Sequence, residues 1–150
     1  MKRLLLLVTV ALMLAAAMAL SGVAQAAQGG NKANAQCKAE AVRTLQPGFK
    51  PSDYDFVGGT EVDDDFIDPA TDGPDVFCGF GGDERIGNLP AGDIFLGGAG
   101  NDEVLLFNLG TFYGGEGDDF VDANYEGATF NGGDGTDSVG TNEGTLVDVP

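Results

Sequence analysis

Aspartate and glycine recur at a fixed spacing in the second half of the chain. The segments GGAGNDEVL, GGEGDDFVD and GGDGTDSVG, at residues 97–105, 114–122 and 132–140, share the pattern G-G-x-G-x-D-x-U-x, in which U is a bulky apolar residue. Their sixth positions are Asp102, Asp119 and Asp137. Carboxylate and backbone carbonyl oxygens are the ligands that Ca²⁺ takes in proteins. The pattern therefore indicates binding of a hard divalent cation.

Glycine at the first, second and fourth positions serves the same chemistry. A residue without a Cβ tolerates positive φ and lets loop carbonyl oxygens approach an ion that side chains would obstruct. The candidate metal-site glycines are Gly97, Gly98, Gly100, Gly114, Gly115, Gly117, Gly132, Gly133 and Gly135. Less regular units also carry an acid at the sixth position, namely Glu84, Asp75 and Asp93. We expect all of these residues to contribute to metal sites.

These residues need a repeating scaffold, and the sequence around the motifs keeps the nine-residue register. Units that lack most of the glycines lie at 70–78, 79–87, 88–96 and 123–131. Residues 106–113 are one residue short, and 141–149 fits loosely, as a terminal cap would. Apolar residues fill the eighth positions: Phe77, Ile86, Phe95, Val104, Phe112, Val121, Phe130 and Val139. The repeat predicts an all-β fold, a parallel β-roll (β-solenoid) over residues 70–150, with three-residue strands whose eighth side chains point inward.

The strong motif recurs every 17 or 18 residues, so two units form one coil and the sixth positions fall on two edges. Strands lie about 4.7–4.9 Å apart and Ca²⁺ binds oxygen at about 2.3–2.6 Å, so an ion midway between coils reaches both. One edge carries Glu84, Asp102, Asp119 and Asp137. These acids predict about three calcium ions, and Asp75 and Asp93 on the other edge predict at most one more. We expect folding to depend on calcium, because the ion replaces repulsion between carboxylates.

The three regular segments are similar to the RTX, or haemolysin-type, calcium-binding repeat. TDGPDVFCGFGGDERI, from Thr71 to Ile86, looks like the start of such an array. The resemblance implies Ca²⁺ between the coils of a β-roll, with Asp102, Asp119 and Asp137 as side-chain ligands and loop carbonyl oxygens completing each site. Glu84 fills the same position with a longer side chain. No toxin, protease or lipase module accompanies the repeats in this sequence, and its export signal is N-terminal where many members of the family carry a C-terminal one.

Residues 1–26 are typical of a secretory signal peptide, with Lys2 and Arg3 ahead of an apolar run and small residues at Ala24 and Ala26. An uncleaved membrane anchor is the alternative, since the apolar run is close to bilayer-spanning length. Cleavage after Ala26 would release a secreted, extracellular protein.

The segment before the array is predicted to be a linker at residues 27–36 and an N-terminal cap at 37–69. Residues 37–46 predict one short helix with Val42 and Leu45 inward. VGGTEVDDDFID, at 57–68, is either a degenerate repeat or part of an irregular cap. We expect its acidic cluster, 63–65, to be solvated.

Cys37 and Cys78 are the two cysteines of the chain. In an exported protein two cysteines most often form a disulfide, which here would tie the cap segment to the first coil of the array. Two unpaired thiols are the alternative.

The chain has 24 acidic and 7 basic residues and a formal net charge of −17. Such a chain repels phosphate backbones and anionic lipid, so we expect calcium ions as partners, no nucleic acid, and no membrane after signal cleavage. It has no histidine, which excludes a histidine triad and an H-E-x-x-H zinc site. We therefore expect a structural or interaction module and no enzyme. The alternatives are a calcium-dependent enzyme acting on extracellular polysaccharide, and a self-associating adhesive or surface component.

Overall fold

The backbone winds into coils, each of which contributes one strand to each of two sheets. A computed structural model describes residues 30–45, 47–66 and 73–150. Its elements are helix α1 (Asn31–Thr44), a 3₁₀ turn (Pro51–Asp53), and strands β1 (Asp55–Gly58), β2 (Asp65–Phe66), β3 (Asp75–Gly81), β4 (Arg85–Leu89), β5 (Ile94–Ala99), β6 (Glu103–Asn108), β7 (Thr111–Glu116), β8 (Phe120–Asn124), β9 (Thr129–Asp134), β10 (Ser138–Asn142) and β11 (Thr145–Val147). The predicted parallel roll is confirmed as a β-solenoid of about five coils.

Odd-numbered and even-numbered strands form separate sheets. The first has the order β1-β3-β5-β7-β9-β11 and the second β10-β8-β6-β4-β2, and the strand pairs are parallel. Phe95 therefore lies opposite Phe77 on one side and Phe112 on the other. Because equivalent residues of successive coils lie side by side, each position of the repeat forms a ladder along the roll.

The core lies between the two sheets and consists of the predicted eighth-position residues. Those that are fully buried are Phe77, Ile86, Phe95, Val104, Phe112, Val121 and Phe130. Val139 in the last coil is partly buried against them. The Phe95 and Phe112 rings stack with centroids 4.9 Å apart, and the Phe112 and Phe130 rings with centroids 5.0 Å apart. The prediction of an inward apolar ladder is confirmed.

The strands are longer than the three residues predicted for each unit. β5, for example, runs from Ile94 to Ala99 and so includes the first two glycines of the following loop. The reason is that these glycines still hydrogen-bond to the neighbouring coils, with Gly98 in register with Phe80 and Gly115. Loop and strand therefore overlap at the start of each motif.

Two local changes accommodate the missing residue of the unit at 106–113. β6 carries one extra residue, because Val104 faces Ile86 but Phe107 faces Asn88. The following turn is shorter, since β6 ends at Asn108 and β7 begins at Thr111. The missing residue is thus accommodated by a bulge in β6 together with a tight turn.

Helix α1 covers part of the outer face of the six-stranded sheet. Cys37 and Ala41 are buried against the sheet, and Cys37 forms a disulfide with Cys78 of β3, so the predicted bridge is confirmed. The helix starts at Asn31, inside the stretch predicted to be a linker. The prediction that Val42 points inward is wrong, since Val42 is 56 % exposed. The disulfide and the small Ala41 fix a different helix face against the strands.

The roll begins before residue 70, because residues 55–66 form a coil of their own. Gly58 pairs with Cys78, and Phe66 pairs with Ile86, 20 residues further along the chain. The described part of VGGTEVDDDFID, residues 57–66, is therefore a degenerate repeat. The predicted signal peptide, 1–26, lies outside the described residues. Within the described ranges, no helix is both long and apolar enough to cross a bilayer.

Candidate metal sites between the coils

The loops that join odd-numbered strands to even-numbered ones form one edge of the roll, which we call the glycine edge. These loops span residues 59–64, 79–84, 97–102, 114–119 and 132–137. The predicted sixth-position acids of this edge are all buried: Glu84, Asp102, Asp119 and Asp137. Asp64, which was expected to be solvated with its neighbours, is buried too and occupies the equivalent place in the first coil.

Successive loops of the glycine edge enclose four gaps, which we number from the N-terminal end. Each gap is bounded by the first residue of one loop, by the sixth-position carboxylate of that loop, and by the first carbonyl oxygen of the next loop. In gap 3, a Cβ on Gly97 would collide with Oδ2 of Asp102 and stand 2.7 Å from the carbonyl oxygen of Gly114. Oxygens from two coils therefore face one space that only a glycine leaves open.

The other gaps have the same construction. In gap 4, a Cβ on Gly114 would collide with Oδ2 of Asp119 and stand 2.6 Å from the carbonyl oxygen of Gly132. In gap 2, the corresponding Cβ would collide with Oε2 of Glu84 and with a carbonyl oxygen of the next coil. Each of these gaps is thus lined by the sixth-position carboxylate of one loop and by a carbonyl oxygen of the next loop.

One oxygen of each aspartate is occupied by the backbone of the preceding coil. The donors and acceptors are Glu84 N–H to Asp102 Oδ1 at 2.8 Å, Asp102 N–H to Asp119 Oδ1 at 2.8 Å, and Asp119 N–H to Asp137 Oδ1 at 2.9 Å. These bonds hold the three aspartates in a fixed orientation across the boundary between coils. The second oxygen of Asp102 faces gap 3 and that of Asp119 faces gap 4, whereas that of Asp137 lies beside Gly132 in the last loop, beyond gap 4.

That second oxygen has no hydrogen-bond partner. Six buried side-chain polar atoms in the described part of the chain lack a partner: Asp64 Oδ1, Glu84 Oε1, Glu84 Oε2, Asp102 Oδ2, Asp119 Oδ2 and Asp137 Oδ2. All six belong to the sixth position of the glycine edge. A buried acceptor without a donor costs about 1–3 kcal/mol, and more when it is charged. A cation or a proton placed beside these six oxygens would remove that cost.

Burial makes the ionised form of these acids unfavourable. It raises the pKa of Glu84 to about 9, with further contributions from the Asp102 and Asp64 carboxylates. Burial also raises the pKa of Asp119 to about 7, although the hydrogen bond from the Asp102 amide acts in the opposite direction. The pKa of Asp102 is raised by burial as well. A cation in the gaps would reverse this preference, because it stabilises the ionised carboxylates.

The available ligands fit calcium. Among residues 30–45, 47–66 and 73–150, no three acidic or cysteine side chains converge on a single point. A gap therefore offers at most two carboxylates, and backbone carbonyl oxygens such as that of Gly114 must provide the remaining protein ligands. An all-oxygen set of carboxylates and carbonyls suits Ca²⁺, whereas soft metals prefer sulfur and nitrogen.

The motif glycines have two separate roles. Those at the second and fourth positions have positive φ: Gly98 (118°), Gly100 (135°), Gly115 (125°), Gly117 (133°), Gly133 (105°) and Gly135 (153°). Gly97, Gly114 and Gly132, at the first position, do not, so the expectation of positive φ is wrong for them. Their lack of a Cβ instead makes room for the carboxylate.

A second ladder on this edge involves the fifth position and was not predicted. The bonds are Asn101 N–H to Asp83 Oδ1, Asp118 N–H to Asn101 Oδ1, and Thr136 N–H to Asp118 Oδ1, each at 2.8 Å. Here a side chain accepts from the following coil, whereas the sixth-position acids accept from the preceding one. Through the two ladders, each loop is hydrogen-bonded both to the preceding coil and to the following coil.

The opposite edge, which we call the far edge, is built differently. Asp75 and Asp93 are buried, and the Asp75 amide donates to Oδ1 of Asp93 at 3.1 Å. In the next two coils Gly110 and Ala128 stand in the same place, so the acidic ladder ends there. None of the unpartnered oxygens described above lies on this edge. The contribution of Asp75 and Asp93 to a further calcium site stays a prediction.

An asparagine ladder takes over the rest of the far edge, and the sequence-based interpretation missed it. Asn108 Nδ2 donates to Asn124 Oδ1 at 2.9 Å, and Asn124 Nδ2 donates to Asn142 Oδ1 at 2.8 Å. The same two amide groups also donate to the carbonyl oxygens of Thr129 and Thr145. An asparagine followed two or three residues later by Gly, and then by Ala or Thr, occurs at Asn108, Asn124 and Asn142, and that recurrence is the signal in the sequence.

Comparisons of the chain with family models, with curated proteins and with solved structures give no match. Function is therefore inferred from the chemistry of the glycine edge itself.

Proposed function

We propose that this chain is a secreted calcium-binding β-roll of the RTX, or haemolysin-type, repeat class, whose folding is coupled to Ca²⁺ binding and which serves as a structural or interaction module. The observation that carries the proposal is the set of six unpartnered carboxylate oxygens, all on one edge. Gaps 2, 3 and 4 would hold the ions through Glu84, Asp102, Asp119 and Asp137. The ion supplies the positive charge that these buried oxygens otherwise lack.

Coupling of folding to calcium follows from the electrostatics of the glycine edge. The chain has a formal net charge of −17, and its sixth-position acids are stacked in successive coils. No ion pair of the described residues involves them, since the two that occur join Arg43 to Glu40 and Arg85 to Glu103. Without a cation the roll must either bury negative charge or protonate it. With a cation the same residues become the strongest link between coils.

A calcium titration of the mature protein tests this proposal. Far-UV circular dichroism in excess chelator should show little strand, and calcium should restore the strand signal while Mg²⁺ at the same concentration should not. Metal analysis after calcium loading and desalting should give about three ions from gaps 2–4. A chain that has its full strand signal in chelator, and binds no calcium, would show the proposal to be wrong.

One surface feature favours self-association as a second candidate function. The bulge in β6 leaves a strip of apolar side chains 38–48 % exposed: Leu105, Leu106, Phe107, Leu109 and Tyr125. The rings of Phe107 and Tyr125 contact each other with centroids 5.7 Å apart. Contiguous exposed apolar surface often marks an interaction site. Sedimentation of the calcium-loaded protein and of Leu106→Ser should separate an assembling roll, which loses assembly with the substitution, from a lone roll, which is monomeric in both forms.

A further inference from the structure

A cleft lies between helix α1 and the outer face of the six-stranded sheet. Its volume is about 530 Å³, which is within the range of sites that hold small organic molecules. Leu96 of β5 and Tyr113 of β7 are paired in register and form part of its floor. One face of the helix forms a wall, which includes Glu40 and Arg43. The cleft thus combines an apolar floor with a polar wall.

Phe80 lines this cleft from a position that the repeat otherwise fills with glycine. It is the second residue of the loop 79–84, and the later loops have Gly98, Gly115 and Gly133 in that place, all with positive φ. Phe80 itself has a φ of 78°, a conformation that is unfavourable for a residue with a Cβ. Backbone strain of this kind is concentrated at functional sites. The strained position places an aromatic ring at the cleft, where the motif would have none.

The glycines of the next two coils leave the floor beside Phe80 open. Phe80 is in register with Gly98, and Gly98 with Gly115, and both glycines line the cleft. Phe80 and Tyr113 are half-buried and pack against the apolar cluster of this sheet face, which includes Leu96. The floor is therefore an apolar surface with two aromatic rings beside bare backbone. Such a surface suits the apolar body of a small ligand.

The charges that line the cleft do not balance one another. Arg43 forms an ion pair with Glu40, which also accepts a hydrogen bond from the Thr44 hydroxyl at 3.2 Å. Glu61 lines the cleft as well, but it is exposed and belongs to neither ion pair of the described residues. Its Oε2 lies above the sheet, 3.6 Å from where a Cβ on Gly81 would stand. Since the chain also has a formal net charge of −17, the site attracts cations and repels anions.

We propose that this cleft binds a small organic ammonium ion with an apolar body, such as an alkyl or aryl amine. The apolar body lies on Phe80, Leu96 and Tyr113, and the ammonium group faces the carboxylate of Glu61. Aromatic surface next to a single uncompensated carboxylate selects for both parts of such a ligand. This site is additional to the proposed calcium sites, because it lies on the outer face of the sheet and uses none of the sixth-position acids.

The test is a titration of the full mature protein, in calcium and with its strand signal verified, followed by NMR of the Gly98 and Gly115 amides. The probes are phenethylammonium, phenethyl alcohol, which has the same apolar body without the charge, and maltose, a neutral sugar. Phenethylammonium should shift both resonances saturably. It should bind about fivefold more tightly than the alcohol, which is the upper end of what an exposed ion pair contributes. Maltose should shift neither resonance.

Two substitutions separate the charge from the aromatic surface. Glu61→Gln should weaken the binding of phenethylammonium about fivefold and leave that of the alcohol unchanged. Its matched control is Glu116→Gln, at the same third position of a later loop, where the side chain is exposed and outside the cleft. Phe80→Gly restores the glycine of the motif, so the fold should persist, but both probes should bind roughly tenfold more weakly because the ring is gone.

The same measurements can overturn the inference. Equal affinity for the alcohol would remove the role of the charge, and tighter binding of maltose would make the cleft a sugar site. Absence of any saturable shift, equal effects of Glu61→Gln and Glu116→Gln, or full affinity in Phe80→Gly would also overturn it. If Phe80→Gly loses its strand signal, Tyr113→Asn takes its place, since Asn131 is the next residue of that row. Calcium is counted separately, so failure here leaves the proposed function intact.

Discussion

Substitution of Asp119 by asparagine should have opposite effects with and without calcium. Oδ1 of Asp119 accepts the Asp102 amide across the boundary with the preceding coil, and Oδ2 faces gap 4. The carboxylate therefore adjoins both gap 3 and gap 4. Asparagine keeps the shape and the acceptor at Oδ1, but it removes the charge and places an amide group where Oδ2 lay.

The calcium-loaded protein should lose stability in proportion to the ions it loses. At a free calcium concentration 100 times the dissociation constant, each bound ion stabilises the fold by about 2.7 kcal/mol. Loss of the ions from gaps 3 and 4 should therefore lower the free energy of unfolding by about 5 kcal/mol. The calcium content should fall by two ions.

In chelator the same substitution should favour the folded state. Folding raises the pKa of the Asp119 carboxyl from 3.8 to about 7, and at about 1.4 kcal/mol per pH unit this opposes folding at pH 8 by on the order of 4 kcal/mol. The asparagine amide carries no such cost, and it can donate to the carbonyl oxygen of Gly132 beside it. The fraction folded in chelator should therefore be higher for Asp119→Asn than for the wild type.

Urea denaturation of the calcium-loaded protein measures the first effect, and the strand signal of circular dichroism in chelator without urea measures the second. Asp122→Asn on the same strand is the matched control, because Asp122 is exposed on β8 and should change neither measurement. If Asp119→Asn is destabilising by the same amount in chelator and in calcium, the carboxylate is an ordinary hydrogen-bonding group and the metal-site reasoning fails.

Three further predictions follow from the same geometry. In chelator, the strand signal should fall as the pH rises from about 5 to 9, because folding raises the pKa of the Glu84 carboxyl from 4.5 to about 9 and the unfolded chain releases that proton earlier. The stability of the calcium-loaded protein should depend little on pH over this range, because the ion keeps the carboxylate ionised in the folded state, as it already is in the unfolded chain. Circular dichroism across this range decides. Gly97→Ala should remove one calcium ion by placing a methyl group in gap 3, whereas Gly87→Ala, with no atom within 4 Å of its Cβ, should keep the wild-type count in metal analysis. Asn124→Ala should lower the free energy of unfolding by about 3 kcal/mol, since it removes three hydrogen bonds of the far edge, one buried and two partly buried. Thermal unfolding at two saturating calcium concentrations should show the same loss, and a loss that changes with calcium would contradict this.

The regular coils could be predicted because the type of each residue in the motif indicates its position in the coil. An apolar eighth position such as Val104 or Val121 marks the core, and the aspartate two residues earlier marks the edge. The sequence does not mark helix α1 in the same way. Its N-cap is Gly30, without a side-chain cap, and its first turn has no acidic residue, so the usual signals of a helix start are missing. The start was therefore predicted too late.

Asp64 and the asparagine ladder escaped prediction for different reasons. Asp64 lies in a run of three aspartates whose composition does not distinguish the buried member from its exposed neighbours. Phe66 does distinguish it, since Asp64 and Phe66 have the same separation as Glu84 and Ile86. The asparagines are separated by 16 and 18 residues, and the bulge in β6 and the tight turn after it move Asn108 out of the nonapeptide register. Only the strand pairing restores the alignment.

The two edges of the roll solve the same problem with different chemistry. Both edges bury polar side chains in successive coils, and those side chains need hydrogen-bond partners. An asparagine both donates and accepts, so a column of asparagines satisfies itself, as Asn108 and Asn124 do. A carboxylate only accepts hydrogen bonds. In a column of aspartates such as Asp102 and Asp119, one oxygen of each side chain accepts from the one backbone amide within reach, and the other oxygen is left unpaired. The unpaired oxygens of the glycine edge are the reason that we propose a cation there. Under that proposal calcium would act on the glycine edge only, because the asparagines of the far edge satisfy one another.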